Sequence, residues 1–275
     1  MRFVAPPREA VDAAVFVRPP LSHWREFDAL LHSREWPSIA DLEGLRSEVQ
    51  KSAKNTLPHF VEQTPQLLCD GLHYETRIAE RGLIATRERN WHDLLNALIW
   101  LRYPAVKSAL NARQVAEIAM VGNKQRSRAQ YALTHFDEAG TIVQLSDPVL
   151  LKLWDAHDWH GLFWRERDAW SDGRIRVDVF GHALLEHALK PEVLFVGKSV
   201  AIATQDNSKS VLADVAAAIH SGELLGDPQD LRPLPLCGIP GWHPSNGSET
   251  FYSGTPCFRP LRDGRRYPPM VHFPS

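Results

Sequence analysis

The segment RNWHDLLNALIWLRYP, residues 89–104, constrains the fold more than any other part of the chain. On a helical wheel its leucines, isoleucine and Trp91 cover one broad face, and only Asp93 and Ala97 lie opposite. A helix that is apolar over so much of its circumference has to be buried, so other elements must pack around it. Pro104 predicts a break and the start of a second helix.

Two polar residues lie along one edge of this predicted helix. His92 and Asn96 are i, i+4 neighbours, so their side chains can meet. An unpaired buried polar group costs about 1–3 kcal/mol. The edge must therefore face polar groups, water or a ligand, and we expect His92 and Asn96 to belong to a catalytic site. The alternative is structural: Asn90 caps the helix, Asp93 interacts with the helix dipole and His92 is a core histidine with satisfied hydrogen bonds.

The second predicted helix, from Pro104 to about residue 120, carries a polar stripe. Lys107, Asn111 and Gln114 follow at i, i+4 and i+7. If Pro104 angles this helix toward His92, Lys107 and Asn111 are substrate-binding residues and Lys107 is the handle for an anion. Otherwise the stripe is solvated.

The sequence YALTHFDEAGTIVQLS alternates around a glycine-containing tip and predicts a β-hairpin. Asp137 and Glu138 would lie at the tip, where at most one can point into a given site. We expect Asp137 to act as a catalytic base or a metal ligand. Arg126 and Arg128 precede it, and the planar guanidinium of arginine suits carboxylate or phosphate groups of a substrate. An ordinary turn is the alternative.

The motif GHALLEH follows a predicted strand, RIRVDVF. It places His182 and Glu186 on one face of a helix, at a spacing that allows two ligands on one metal ion. The spacing matches neither HExxH nor HxxEH, so no known metalloprotease motif is present. Gly181 would permit close backbone approach at the junction. We expect His182 and Glu186 to be catalytic or, together with His92, to bind a metal ion. The alternative is that His182 caps the helix and Glu186 is solvated.

The remaining pattern predicts a helix-dominated α+β fold, with short strands, in a single domain of residues 1–275. Residues 228–275 hold ten of the twenty prolines but keep aromatic residues, which predicts an ordered, irregular strap over the core. Segments 1–20 and 262–275 are expected to be looser extensions. Other expected helices begin near Ser22, at Pro37, after Asp147 and at SKSVLADVAAAIHSG, and other expected strands are AAVFV, PHFVEQ, YETRI and VLFVGKSVAIATQ.

Charge and composition limit the function classes. The net charge is −2, which argues against a protein that binds nucleic acid over most of its surface. Residues 81–130 nevertheless hold nine Lys/Arg and three acids, which favours an anionic partner for that segment or else a solvated basic helix face. The three cysteines form no metal or disulfide motif, and no apolar run is long enough for a membrane span. We expect a cytoplasmic protein without a membrane anchor. No dinucleotide-binding, P-loop, nucleophile-elbow, kinase or zinc-finger motif occurs.

Four segments together resemble the bacterial domain-of-unknown-function family 3025. They are TRERNWHDLLNALIWLRYPAVKSALN, ALTHFDEAG, VFGHALLEHALKP and PLPLCGIPGWHPSN with FYSGTPCFRP, spread in order over about residues 55–260. The resemblance implies a single-domain bacterial protein whose proline-rich C-terminus is part of the domain. It implies no activity, cofactor or catalytic residue.

The sequence is compatible with two functions. The first is a hydrolase acting on a phosphate- or carboxylate-bearing substrate, by acid–base chemistry or with a divalent metal. Contact between His92 and His182 would support it, and a separation well beyond about 12 Å would refute the composite site. The second is a non-catalytic module that binds an anion, nucleic acid or a protein through the basic segment and the C-terminal arginines Arg259, Arg262, Arg265 and Arg266. The oligomeric state is not determined by these patterns.

Overall fold

The computed structural model describes residues 3–52, 56–122, 125–204 and 210–273. These residues form a helix-dominated α+β fold with two small sheets. The helices are α1 Asp28–Leu31, α2 Ile39–Gln50, α3 Pro65–Leu68, α4 Tyr74–Arg81, α5 Trp91–Arg102, α6 Pro104–Val121, α7 Arg128–Ala139, α8 Pro148–Asp155, α9 His182–His187, α10 Leu212–Ser221 and α11 Phe251–Gly254. The strands are β1 His59–Glu62, β2 Leu83–Thr86, β3 Gly140–Leu145, β4 Ile175–Val179, β5 Val196–Ala203, β6 Arg232–Pro235 and β7 Val271–His272.

Helix α5 lies at the centre of the molecule, as its apolar circumference predicts. Leu98 and Ile99 are completely buried, and Ala97, on the face expected to be polar, is buried as well. The predicted cap is confirmed: the side chain of Asn90 accepts a hydrogen bond from the backbone N–H of Asp93 at 3.0 Å. Helix α5 packs against α6, α9 and α2, so its polar edge faces other elements and not bulk solvent.

The larger sheet supports the helices from one side. Its strand order is β4-β3-β5-β6, with β3 parallel to β5 and the outer two strands antiparallel to their neighbours. β7 pairs in parallel with one end of β5. Every residue of β3 is buried, which is typical of a central strand. β1 and β2 form a separate parallel pair.

Two strand predictions are wrong because helical signals outweigh the alternation. The expected hairpin at residues 131–146 is helix α7 followed by β3, so Asp137 and Glu138 lie in the last turn of a helix and not at a hairpin tip. A capping box between Ser127 and Gln130 starts α7. The segment YETRI begins α4 and is not a strand.

The chain ends also differ from expectation. AAVFV contains a 3₁₀ turn and no strand, and the helix expected from Ser22 is broken into 3₁₀ turns and the short α1. α2 begins after the N-cap Ser38, one residue beyond Pro37. In the segments expected to be loose, Val15 is buried and β7 joins the sheet. The proline-rich strap is irregular, as predicted, with short helical turns, β6 and a buried Tyr252.

The junction between β4 and α9 brings two distant parts of the chain together. A Cβ atom on Gly181 would lie 2.5 Å from the Cα of Ala139, so only glycine fits there without a shift of the backbone. The backbone N–H of Gly181 donates to the carbonyl of Gly140 at 2.8 Å. The predicted close approach at Gly181 is therefore confirmed, and it places the start of α9 against the end of α7.

Candidate functional site

A polar cavity of about 310 Å³ opens between α4, α5, α6 and α7, and we call it the central cavity. The polar edge of α5 lines it, and so does the buried first residue of α9, His182. Its lining includes the expected site residues His92, Asn96, Lys107, Asn111, Arg126, Asp137 and His182, together with Tyr74, Glu75, Gln114 and Glu138. Residues from separate elements therefore face one space, as a folded site requires.

Three possible metal-ligand atoms meet where α5, α7 and α9 converge on the cavity. The Nε2 atoms of His92 and His182 lie 3.0 Å apart, and their rings are nearly perpendicular with centroids 4.4 Å apart. Glu138 Oε2 lies 3.4 Å from His182 Nε2. The donor atoms of these three residues all lie within 4.8 Å of one another, and we call them the His–His–Glu cluster.

Glu186 orients the cluster from behind. Its Oε2 lies 3.0 Å from His92 Nδ1, on the opposite side of the ring from His182. This contact favours the tautomer with hydrogen on Nδ1 and a lone pair on Nε2, aimed at His182. The hydrogen bond to Glu186 also raises the pKa of His92. Glu186, expected as a metal-ligand candidate, thus contacts a histidine of the cluster and does not belong to the three-residue set.

Burial shifts the pKa values of the other two cluster residues. His182 is 3% exposed, and its desolvation lowers its pKa to about 3, so the imidazole is neutral at physiological pH. Burial also raises the pKa of Glu138, although the nearby His92 opposes that shift. A neutral imidazole with an available lone pair is the form that binds metal ions.

A second polar group lies beside the cluster, centred on Lys107. Its ammonium nitrogen lies 2.6 Å from Asp137 Oδ1 and donates to Asn96 Oδ1 at 2.9 Å. Asn96 in turn donates to the hydroxyl of Tyr74 at 3.0 Å. Burial alone would raise the pKa of Asp137, but Lys107, His182 and His92 together outweigh burial and hold that pKa below its usual value.

Another carboxylate of the cavity, Glu75 on α4, is held by Asn111 on α6. Asn111 donates from Nδ2 to Glu75 Oε2 at 2.6 Å and to the Glu75 carbonyl at 2.9 Å. Burial, reinforced by the charge of Asp137, raises the pKa of Glu75. Asn111 therefore fixes an acidic side chain inside the cavity, whereas the sequence suggested a direct substrate contact.

The two expected arginines have different surroundings. Arg126 lines the mouth of the central cavity. Arg128 is exposed and pairs with Asp227, so it does not reach the cavity. Most of the basic segment is neutralised in the same way, with ion pairs at Arg87, Arg102, Lys107, Arg113 and Arg128. Lys124, counted in that segment, lies outside the described residues.

Among the cavity residues with ionisable side chains discussed above, Tyr74, Glu75 and Glu138 were not sequence candidates. On a strand, Glu138 would point away from the face that carries Asp137, but the 100° step of helix α7 lets Asp137 and Glu138 both approach the cavity. The segment YETRI predicts a strand for Tyr74 and Glu75, but both lie in α4. The N-cap at His73 and the αL cap at Gly82 are the sequence signals that mark this segment as helix.

Comparison with known proteins gives a family and no activity. A family model described as "Protein of unknown function (DUF3025)" matches residues 58–262. No curated protein and no solved structure matches the chain. Within the described ranges, every helix is too short or too polar to cross a membrane.

Proposed function

The chain belongs to the DUF3025 family, and we propose that it is a metal-dependent hydrolase that acts on an anionic substrate in the central cavity. The His–His–Glu cluster binds the divalent metal ion. The observation that carries this proposal is the pair of histidine Nε2 atoms 3.0 Å apart, with a carboxylate behind one ring and another beside the second.

The spacing of the donor atoms supports a tetrahedral ion such as Zn²⁺. Two ligands at about 2.0–2.1 Å from a tetrahedral zinc ion lie roughly 3.3 Å apart. The distances from His182 Nε2, 3.0 Å to His92 and 3.4 Å to Glu138, are close to that value. Two histidines and one glutamate are a known ligand set for catalytic zinc, in which the fourth position is left for water or substrate.

The residue behind His92 supports the same assignment. Metal-binding histidines usually donate their second ring N–H to a carboxylate, which fixes the ring and increases its basicity. The contact between His92 Nδ1 and Glu186 has this geometry.

A bound metal ion would supply a water of lowered pKa as the nucleophile. The residues of the chain then have separable roles. Lys107 uses two of its three ammonium hydrogens on Asn96 and Asp137, which leaves one for an anionic group of the substrate. Asp137, with its depressed pKa, positions Lys107. Glu75, whose pKa is raised, is the better acid–base residue at neutral pH.

Metal analysis of untagged protein purified without chelator tests the first part. We expect about one equivalent of a divalent metal per chain in the wild type and a loss of it in His92→Ala, His182→Ala and Glu138→Gln. Glu186→Gln should keep the ligands but bind Zn²⁺ about 10–100-fold more weakly in a competition titration. His220→Ala, which removes an exposed histidine from α10, is the matched control and should retain the metal.

The metal proposal fails if the wild type, reconstituted with Zn²⁺, Mn²⁺ or Fe²⁺, retains no ion. It also fails if His220→Ala loses as much metal as the cluster variants. Circular dichroism of each variant separates loss of the site from loss of the fold.

A hydrolysis panel tests the second part. Nitrophenyl phosphomonoesters, phosphodiesters and carboxylate-bearing esters are the probes, each assayed before and after chelation. Glu75→Gln should lower kcat by about 10²–10⁴-fold with the metal content unchanged. Lys107→Met should mainly raise KM for anionic substrates. Activity that survives both chelation and Glu75→Gln would contradict the assigned roles.

A further inference from the structure

A second cavity, of about 670 Å³, lies under the proline-rich strap, and we call it the arginine groove. Its cationic lining residues are Lys198 on β5 and Arg259, Arg262 and Arg265 on the strap. His135 and His157 also line it. The groove is thus built from segments far apart in the chain, which converge on one space.

The groove contains an unbalanced charge. Its lining includes four cationic side chains and no carboxylate. Within the described residues, none of these four cations lies in an ion pair, whereas five cations of the 81–130 segment do. Asp227 and Asp230 act on Arg265 electrostatically, but Asp227 is itself paired with Arg128.

The strap that carries the arginines is fixed in place. Trp159 Nε1 donates to the carbonyl of Arg259 at 2.7 Å, and His157 Nδ1 lies 3.1 Å from the same oxygen. His157 Nε2 lies 2.9 Å from the hydroxyl of Tyr267. Anchors at both ends of the segment hold the arginines in position before any ligand arrives, which reduces the entropic cost of binding.

Like charges brought together without a counter-ion repel one another. Burial lowers the pKa of Lys198, and the charges of Arg265 and Arg262 lower it further. The Lys198 charge also contributes to the lowered pKa of His135, after burial. A bound anion would remove this repulsion.

We infer that the arginine groove binds a small ligand that bears two or more phosphate groups. Several cations spread along a groove match several linked anionic groups better than one carboxylate, and the arginine fork matches phosphate oxygens. The volume falls in the range of small-molecule sites. The Tyr267 ring already lies against the guanidinium of Arg265 and the ring of His157.

Isothermal titration of the full-length, metal-free protein with tripolyphosphate tests this inference. The prior removal of metal excludes chelation by the probe, so the result does not depend on the hydrolase proposal. We expect one saturable site in the wild type. Arg262→Ala and Lys198→Gln, on different elements and outside any ion pair, should each weaken binding by about tenfold, the value of one charge-assisted hydrogen bond.

Arg266→Ala is the matched control, because Arg266 is an exposed arginine of the same strap that does not line the groove. It should change the dissociation constant by less than about twofold. Equal weakening by Arg266→Ala would show diffuse attraction and overturn the inference, as would a wild type without saturable binding. Tighter binding of a single-stranded oligothymidylate than of tripolyphosphate or ATP would assign the groove to nucleic acid instead. An unchanged melting temperature in each variant confirms that the strap is intact.

Discussion

The ion pair between Lys107 and Asp137 is expected to be strongly coupled, because it lies inside the protein. The Lys107 side chain is 4% exposed and that of Asp137 is 23% exposed, through the cavity. Removing one partner of a buried ion pair costs about 3–5 kcal/mol, since the other charge is left uncompensated. The access of water to Asp137 places this pair at the lower end of that range.

We therefore expect Lys107→Met and Asp137→Asn each to lower the free energy of unfolding by about 3 kcal/mol. The double variant removes both charges and should lose clearly less than the sum, with a coupling energy of about 2 kcal/mol. Urea unfolding of the four proteins in the presence of a chelator measures these values without a contribution from bound metal.

The exposed pair Arg128–Asp227 is the control cycle. The Arg128 side chain is 63% exposed, so its coupling to Asp227 should be below about 1 kcal/mol. If the losses at Lys107 and Asp137 add within about 0.5 kcal/mol, the two residues do not act as a unit and the reasoning is refuted. The same holds if both cycles give equal coupling.

Three further results are expected. Gly181→Ala should cost about 1–3 kcal/mol and weaken Zn²⁺ binding, because the added Cβ forces α9 away from α7; unchanged affinity would separate this junction from the cluster. The hydrogen bond from Arg77 lowers the pKa of Asp70, so the stability that Asp70 contributes is present above its unfolded-state pKa of about 3.9 and is lost as the pH falls through its lower folded-state value. The difference in unfolding free energy between wild type and Asp70→Asn should therefore vanish in acid, and a difference that grows there would contradict the assignment. Finally, Cys237 and Cys257, with Sγ atoms 3.3 Å apart, should form a disulfide when a small disulfide oxidant is added, leaving one titratable thiol; three persisting thiols would exclude it.

The sequence predicted the secondary-structure elements around the site better than it predicted the side-chain contacts within the site. The apolar circumference of α5 and the break at Pro104 follow from side-chain periodicity, and both occur as predicted. The close approach at Gly181 was also predictable, because a glycine between a strand and a helix has few other uses. Side-chain periodicity does not determine the angle between two helices. The angle between α5 and α6 places Lys107 beside Asn96.

The segment that carries Asp137 and Glu138 is the main difference between prediction and structure. Its alternating pattern predicts a strand, but its capping residues and buried positions are those of a helix. In α7 the residues Ala129, Ala132, Leu133 and Phe136 are buried at helical spacing, and the Ser127–Gln130 box marks the start. Reading that segment as a strand separated two neighbouring carboxylates onto opposite faces. The helix instead turns both toward one cavity, where one pairs with Lys107 and the other approaches His182.

The charge balance of the central cavity links the proposed metal to the proposed substrate. Four carboxylates line the cavity: Glu75, Asp93, Asp137 and Glu138. Of its three Lys/Arg cations, Arg87 is paired with Asp93 and Lys107 with Asp137, and the third is Arg126. The two remaining carboxylates, Glu75 and Glu138, oppose the binding of an anion, and their raised pKa values reflect in part the neighbouring charge of Asp137. A divalent ion at the His–His–Glu cluster would reverse the sign of the potential beside Glu138. Anionic substrates should therefore bind tightly only to the metal-loaded protein, and tight binding of a simple phosphate ester in the central cavity of the chelated protein would contradict the role of the metal in substrate binding.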